Sequence, residues 1–253
     1  MADVNDKAGI CAIAVMAKAP QAGRSKTRLC PPLQHDQAAA LSAAFLRDIS
    51  ENIVAASREA PIQGLMAYAP AGSVELFDGY LASGTDFVLA DGQIAVPSGV
   101  AGFGKCLLHA IQGLLGAGYG AACLLNSDSP TLPTAFLARA ARILLADGER
   151  IVLGPAEDGG YYLIGMKTPH ARLFANIAWS TDTVAEATRS RAKALGLEVV
   201  ELPHWYDVDD PAALDRLATE LTGPADGRYR APATEAALRQ MGSIAKQRHR
   251  ATT

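Results

Sequence analysis

Residues 10–32 read ICAIAVMAKAPQAGRSKTRLCPP, and the reading of this stretch decides the fold. Ile10 to Ala17 is a nearly continuous apolar run, the pattern of a central parallel strand covered on both faces. Pro20, Gly23, Pro31 and Pro32 follow and predict a loop. Four cations, Lys18, Arg24, Lys26 and Arg28, are concentrated in that loop, at the carboxyl end of the strand. Open α/β sheets bind ligands at that edge.

The pattern repeats outward. Leu41, Phe45, Ile49 and Ile53 recur at every fourth position, while Arg47, Asp48 and Glu51 lie off the stripe, predicting a helix docked on a sheet. Gly64 to Ala69 and Ala121 to Leu125 read as buried strands, with helices over Gly104 to Leu115 and Thr134 to Leu145. Short apolar runs at Ile151 to Leu153 and Tyr161 to Ile164 flank a glycine-bearing loop. A helix over Thr181 to Leu195, a strand near Glu198 to Leu202 and a helix opening at Pro211 complete the order. The alternation predicts a three-layer α/β/α, Rossmann-like fold around a mostly parallel mixed sheet. The main domain is expected over residues 1–223. Residues 224–253 are expected to form an extension, a short helix around Glu235 to Gln240 and then a frayed tail.

The bulk properties narrow the classes. A chain of 253 residues, 49% hydrophobic and 19% charged, is ordinary globular protein. A net charge of −3 offers no general attraction to nucleic acid or anionic membrane, so phosphate binding must come from a local cation cluster. The apolar opening run is too brief for a membrane span or a signal core. Cys11, Cys30, Cys106 and Cys123 show no C-x-x-C spacing and fit reduced thiols. The expectation is a soluble cytoplasmic protein.

Four constellations carry chemistry. In the first, Gly23 lets backbone approach an anion, and Lys18, Arg24, Lys26 and Arg28 supply charge-assisted hydrogen bonds to phosphate; a plain solvated loop is the alternative. The stretch is not a Walker loop, because G-K-[ST] is out of register. In the second, Leu124-Leu125-Asn126-Ser127-Asp128-Ser129-Pro130 runs a buried strand into a carboxylate. Asp128 is the leading candidate ligand for Mg²⁺ or Mn²⁺, with an Asx turn or helix cap as the alternative. In the third, Gly154 to Tyr162 sets Glu157 and Asp158 beside paired glycines and two aromatic rings, a composition that suits a sugar or acceptor pocket or a simple hairpin turn. In the fourth, Trp205-Tyr206-Asp207-Val208-Asp209-Asp210-Pro211 makes Asp209 a metal candidate and Asp210 a helix N-cap. Of the five histidines, only His204 lies beside this acidic loop, and none forms a zinc spacing.

Together these segments resemble the nucleotide-diphospho-sugar transferase superfamily with its GT-A-type fold. They are most similar to a bacterial family of uncharacterised candidate glycosyltransferases marked by MAKAPxxGxxKTRLxPPL, D-S-P, GPxxDGGYYLIG and an acidic D-x-P loop. The matching stretches here are MAKAPQAGRSKTRLCPPL, NSDSPTLP, LGPAEDGGYYLIGM and WYDVDDPAAL, within Ile10 to Leu217. Lys26 to Leu29, KTRL, also looks like the phosphate loop of phospholactate guanylyltransferases. The resemblance implies metal ligation by Asp128 and Asp209 and a catalytic or acceptor-side role for Asp158, with Lys26 acting on the phosphates. It implies a nucleotide-sugar donor and a small-molecule acceptor, or alternatively a nucleoside triphosphate and release of pyrophosphate. Where the family often has Gly-Asp-Leu-Gly-Glu-Arg, this chain has Ala101-Gly102-Phe103-Gly104-Lys105-Cys106, which leaves a non-catalytic nucleotide-binding protein as a third reading.

Overall fold

The structure is a computed structural model that describes residues 7–251, and for residues 243–251 the backbone alone. The acidic opening residues 1–6, the last two residues and the basic side chains of Lys246 to Arg250 lie outside that description.

Seven strands form one sheet: β1 (Cys11–Ala17), β2 (Ile62–Tyr68), β3 (Asp86–Leu89), β4 (Ala121–Leu125), β5 (Arg150–Pro155), β6 (Tyr161–Met166) and β7 (Glu198–Glu201). Their spatial order is β3-β2-β1-β4-β6-β5-β7. β1 pairs in parallel with β2 and β4, β2 with β3, and β5 with β7, while β6 runs antiparallel to both β4 and β5. The expected three-layer α/β fold with a mostly parallel mixed sheet is the observed one.

Alternation along the strands builds the layers. Cys11, Ile13 and Val15 of β1 point to one face, where α1 (His35–Ala56), α3 (Thr134–Leu145), α5 (Pro211–Thr222) and α6 (Pro232–Ala251) pack. Ala12 and Ala14 point to the other, beneath α2 (Phe103–Gly116) and α4 (Val184–Ala194). All five residues are fully buried, which is why the run carries no polar position. Burying each large apolar side chain of this core, such as Ile13, Leu41 or Phe45, contributes about 1.5–3 kcal/mol.

β3 has no counterpart among the expected strands. It is four residues long, sits at the sheet edge and begins with the exposed Asp86, so it carries no buried-strand pattern. The helix expected around Glu235 to Gln240 runs from Pro232–Ala251 and packs on α1 and α5. Asp48 is off the apolar stripe of α1 yet 1% exposed, because α6 covers it. Its Oδ1 and Oδ2 accept from the backbone N–H groups of Ala233 (3.0 Å) and Thr234 (2.7 Å), satisfying two of the orphan donors that open α6. Burial nevertheless pushes its carboxyl above the ordinary range, with these hydrogen bonds acting the other way. Asp48→Ala should cost roughly 1–3 kcal/mol in urea denaturation by leaving those N–H groups unpaired, whereas an alanine at the half-buried Glu51, which makes only a surface ion pair with Arg47, should cost less than about 0.5 kcal/mol.

Candidate active site

The chain leaves β1 for β2 and β3 on one side and later returns to β4 on the other, so β1 and β4 bound the topological switch point of the sheet. A cavity of about 590 Å³ opens there. Lys18, Arg24, Lys26 and Arg28 line it from the loop after β1, Asp128 from the end of β4, and Asp209 from the loop before α5. Gly23 has φ 73°, the left-handed conformation that suits glycine, and lies in the same loop outside the cavity lining. Asp158 also lies outside the lining. Its Oδ1 accepts from the Gly160 N–H at 2.8 Å, closing an Asx turn between β5 and β6.

Lys26 joins the two candidate metal ligands directly. Its Nζ is 2.5 Å from Asp128 Oδ1 and 2.7 Å from Asp209 Oδ1, and it donates to the Val208 carbonyl at 2.8 Å. The Lys26 side chain is 7% exposed, against 27% for Asp128 and 40% for Asp209. Burial alone would depress the ammonium pKa, but the two carboxylates outweigh it and hold the pKa above the ordinary value. Ser127 donates its hydroxyl to Asp128 Oδ1 at 3.1 Å.

Backbone lacing fixes the carriers of these groups. The Val208 N–H donates to the Asp128 carbonyl at 2.8 Å, and the Ser129 hydroxyl to the Tyr206 carbonyl at 2.9 Å. The Glu157 N–H donates to the Trp205 carbonyl at 2.9 Å, which ties the Asp158 turn to the acidic loop. Behind them Arg216 of α5 stacks 3.7 Å over the Tyr206 ring and pairs with Glu157 at 2.7 Å and Glu220 at 3.2 Å. Asp210 is the N-cap of α5, its Oδ1 accepting from the Ala213 N–H at 2.8 Å ahead of Pro211. At Gly159 a Cβ would lie 2.0 Å from the Asp182 carbonyl oxygen, so only glycine fits where the turn passes the start of α4.

The two aspartates fit a hard divalent ion. Their Oδ1 atoms already converge on one positive centre. Among the described residues, no cluster of three or more His, Cys, Asp or Glu side chains forms a closed metal cage. One or two carboxylates, completed by ligand oxygens and water, is the donor set of a Mg²⁺-type ion.

Several lining residues, Ala67, Ala69 and Ala90 on the β2–β3 side and Ser180, carry no motif legible in sequence. Phe103 and Cys106 of α2 also line the cavity, and they belong to the Ala101 to Cys106 stretch that departs from the family pattern. Phe103 is 48% exposed and meets the Trp179 ring edge-on at 5.4 Å. The exposed His204 is not part of the lining.

The fold and site define a class: α/β proteins with a cation-rich, carboxylate-bearing cavity at the switch point of a mixed sheet. A candidate nucleotide-diphospho-sugar transferase from Desulfovibrio desulfuricans G20 superimposes with a TM-score of 0.78 at 28% identity, over 94% of this chain and 97% of that one. The chain belongs to the DUF2064 family, uncharacterized proteins conserved in bacteria, whose model matches residues 53–181. That match includes Asp128 and Asp158, while Lys26 and Asp209 lie outside it. Glucosyl-3-phosphoglycerate synthase from Mycobacterium tuberculosis, in complex with Mn²⁺, UDP and phosphoglyceric acid, gives a TM-score of 0.48 at 12% identity, over 85% and 76% of the two chains. A CMP:2-keto-3-deoxy-manno-octonic acid synthetase complexed with CTP gives 0.48 at 12%, over 84% and 98%. These two likenesses are loose. No curated protein matches the chain.

The sequence assigns Asp207 no role of its own. Its carboxyl is pushed up to about 6, first by burial and then by Asp158, Asp209 and Asp128 around it. Since its folded pKa exceeds the unfolded 3.8, the folded state loses stability as pH rises through that interval. In EDTA, Asp207→Asn should therefore be more stable than the parent at about pH 8, with the difference vanishing near pH 4, as read by urea midpoints.

Proposed function

We propose that this protein is a metal-dependent transferase that moves a glycosyl group from a nucleotide-sugar to a small acceptor, with residues 1–223 as the transferase domain and 224–253 as an extension. The observation that carries the reading is the convergence of Lys26, Asp128 and Asp209 in a cavity also lined by Lys18, Arg24 and Arg28. A pocket with cations for a diphosphate and two carboxylates for one divalent ion has the parts that a departing nucleoside diphosphate requires.

In this reading Arg24, Arg28 and Lys18 bind and orient the phosphate oxygens, and Gly23 leaves the loop free to approach them. Asp128 and Asp209 would hold Mg²⁺ or Mn²⁺, which supplies Lewis-acid stabilisation of the negative charge on the leaving diphosphate. Asp158, beside Asp207 at the acidic end, accepts the proton of the acceptor hydroxyl or aligns it. Among the described residues no helix is long and apolar enough to cross a membrane. A cytoplasmic location fits the cysteines, since all four are free.

Four cations around one cavity also suit a triphosphate, which keeps nucleotidyl transfer as the second reading. The two reactions leave different products. Incubation with Mn²⁺ and panels of nucleotide-sugars and triphosphates should release nucleoside diphosphate, whereas pyrophosphate release dependent on a phosphorylated acceptor would replace the glycosyl reading by the nucleotidyl one. Binding without either product across the acceptor panel would favour a non-catalytic nucleotide-binding role.

Two substitutions separate the roles. Asp128→Asn should remove the Mn²⁺-dependent part of nucleotide affinity in calorimetry while the fold persists, because Asp209 still pairs with Lys26. Asp158→Asn should lower kcat by about 10²–10⁴-fold with nucleotide affinity unchanged, the signature of a lost proton acceptor.

A further inference from the structure

Among the described residues, Lys18, Arg24 and Arg28 make no ion pair with a carboxylate, whereas Lys26 makes two. An ammonium group has three N–H donors, and at Lys26 all three have acceptors: Asp128 Oδ1, Asp209 Oδ1 and the Val208 carbonyl. The Nζ also lies 5.4 Å from the centre of the Phe45 ring, a cation–π contact on its buried side. The backbone of Lys26 is at φ 50°, ψ 38°, a left-handed conformation uncommon for a residue with a Cβ. The loop around it is firmly built: Gln21 accepts from the N–H groups of Arg24 and Ser25, and the fully buried Leu29 anchors the following turn. The bonds at its tip help offset the conformational cost at its backbone.

The carboxylates that Lys26 pairs with are the ones proposed to hold the metal. A divalent ion held by Asp128 and Asp209 would share that carboxylate pair with the buried ammonium, and two cations at such close range repel strongly. A free aquo ion brings positive charge and no new anion, so it would leave the buried ammonium without compensation. A metal already chelated by a polyphosphate brings phosphate oxygens, to which the displaced Lys26 can turn beside Arg24 and Arg28.

We infer that Lys26 is a resident counter-ion of the two metal carboxylates, and that the site therefore takes its divalent cation as a metal–polyphosphate complex and rejects the free ion. This rests on the proposed metal reading. Metal and nucleotide binding are then positively coupled, each raising the affinity of the other by the same factor. Lys26 acts as a positioning residue here, changing partners from carboxylate to phosphate as the ligand enters.

The test is Mn²⁺ binding followed by the paramagnetic resonance of the free ion, with and without UDP or GDP. Without nucleotide, wild-type protein should bind Mn²⁺ weakly, and Lys26→Met should bind it at least about tenfold more tightly, because the competing charge is gone. With the nucleoside diphosphate that binds, the wild-type affinity for Mn²⁺ should rise, and Lys26→Met should gain less. Lys26→Arg, which keeps the charge, should stay close to wild type. Lys26→Gln carries the same expectation as Lys26→Met should the methionine variant fail to fold. The inference is overturned if neither neutral variant binds Mn²⁺ more tightly than wild type while Asp128→Asn still removes metal-dependent nucleotide binding; the metal reading then survives. Were Asp128→Asn to change neither metal nor nucleotide binding, the metal reading would fall first and this inference with it.

Discussion

One buried ammonium group holds the functional edge of the sheet together. Lys26 comes from the loop after β1, Asp128 from the end of β4, and Asp209 and Val208 from the loop before α5, and they meet at a single nitrogen. Without that cation, two carboxylates would face each other beside Asp207, whose pKa is raised first by burial and then by the neighbouring carboxylates. The arrangement has physical meaning only because parallel strands deliver their following loops to one edge. β1 and β4 lie side by side in parallel register, so residues far apart in sequence emerge as neighbours.

The surrounding hydrogen bonds work at one remove. The Val208 N–H to Asp128 carbonyl bond and the Ser129 hydroxyl to Tyr206 carbonyl bond lock the acidic loop to the tip of β4. Arg216 then clamps the back of that loop by stacking on Tyr206 and pairing with Glu157, which immediately precedes Asp158. These surface pairs add little stability individually. Their effect is geometric, since one guanidinium registers the acidic loop, the β5–β6 turn and α5 against one another.

Much of this frame was legible in the sequence, for identifiable reasons. β1 and β4 are buried on both faces and so appear as unbroken apolar runs, and Ala121–Leu125 and Thr134–Leu145 begin and end where the pattern says. Asp210 announced itself as a cap because Pro211 follows it. The placement of Lys18, Arg24, Lys26 and Arg28 near Asp128 followed from the rule that loops after parallel strands share an edge. What stayed hidden depends on contacts between distant segments. The burial of Asp48 is set by α6, nearly two hundred residues away in the chain. The wall made by Phe103 depends on how α2 lies over the sheet, and the pairing of Lys26 with both aspartates depends on loop conformations that no periodicity encodes.

Gly159 carries a mechanical consequence. Its α-carbon passes so near the Asp182 carbonyl that no side chain fits between them, and its own carbonyl accepts from the Ala185 N–H at 2.9 Å. The turn bearing Asp158 and the first residues of α4 are thereby riveted into one body. Any rearrangement that carries this acid toward or away from an incoming molecule must bring the leading end of that helix along. Turn and helix end therefore form one unit rather than an independent flap.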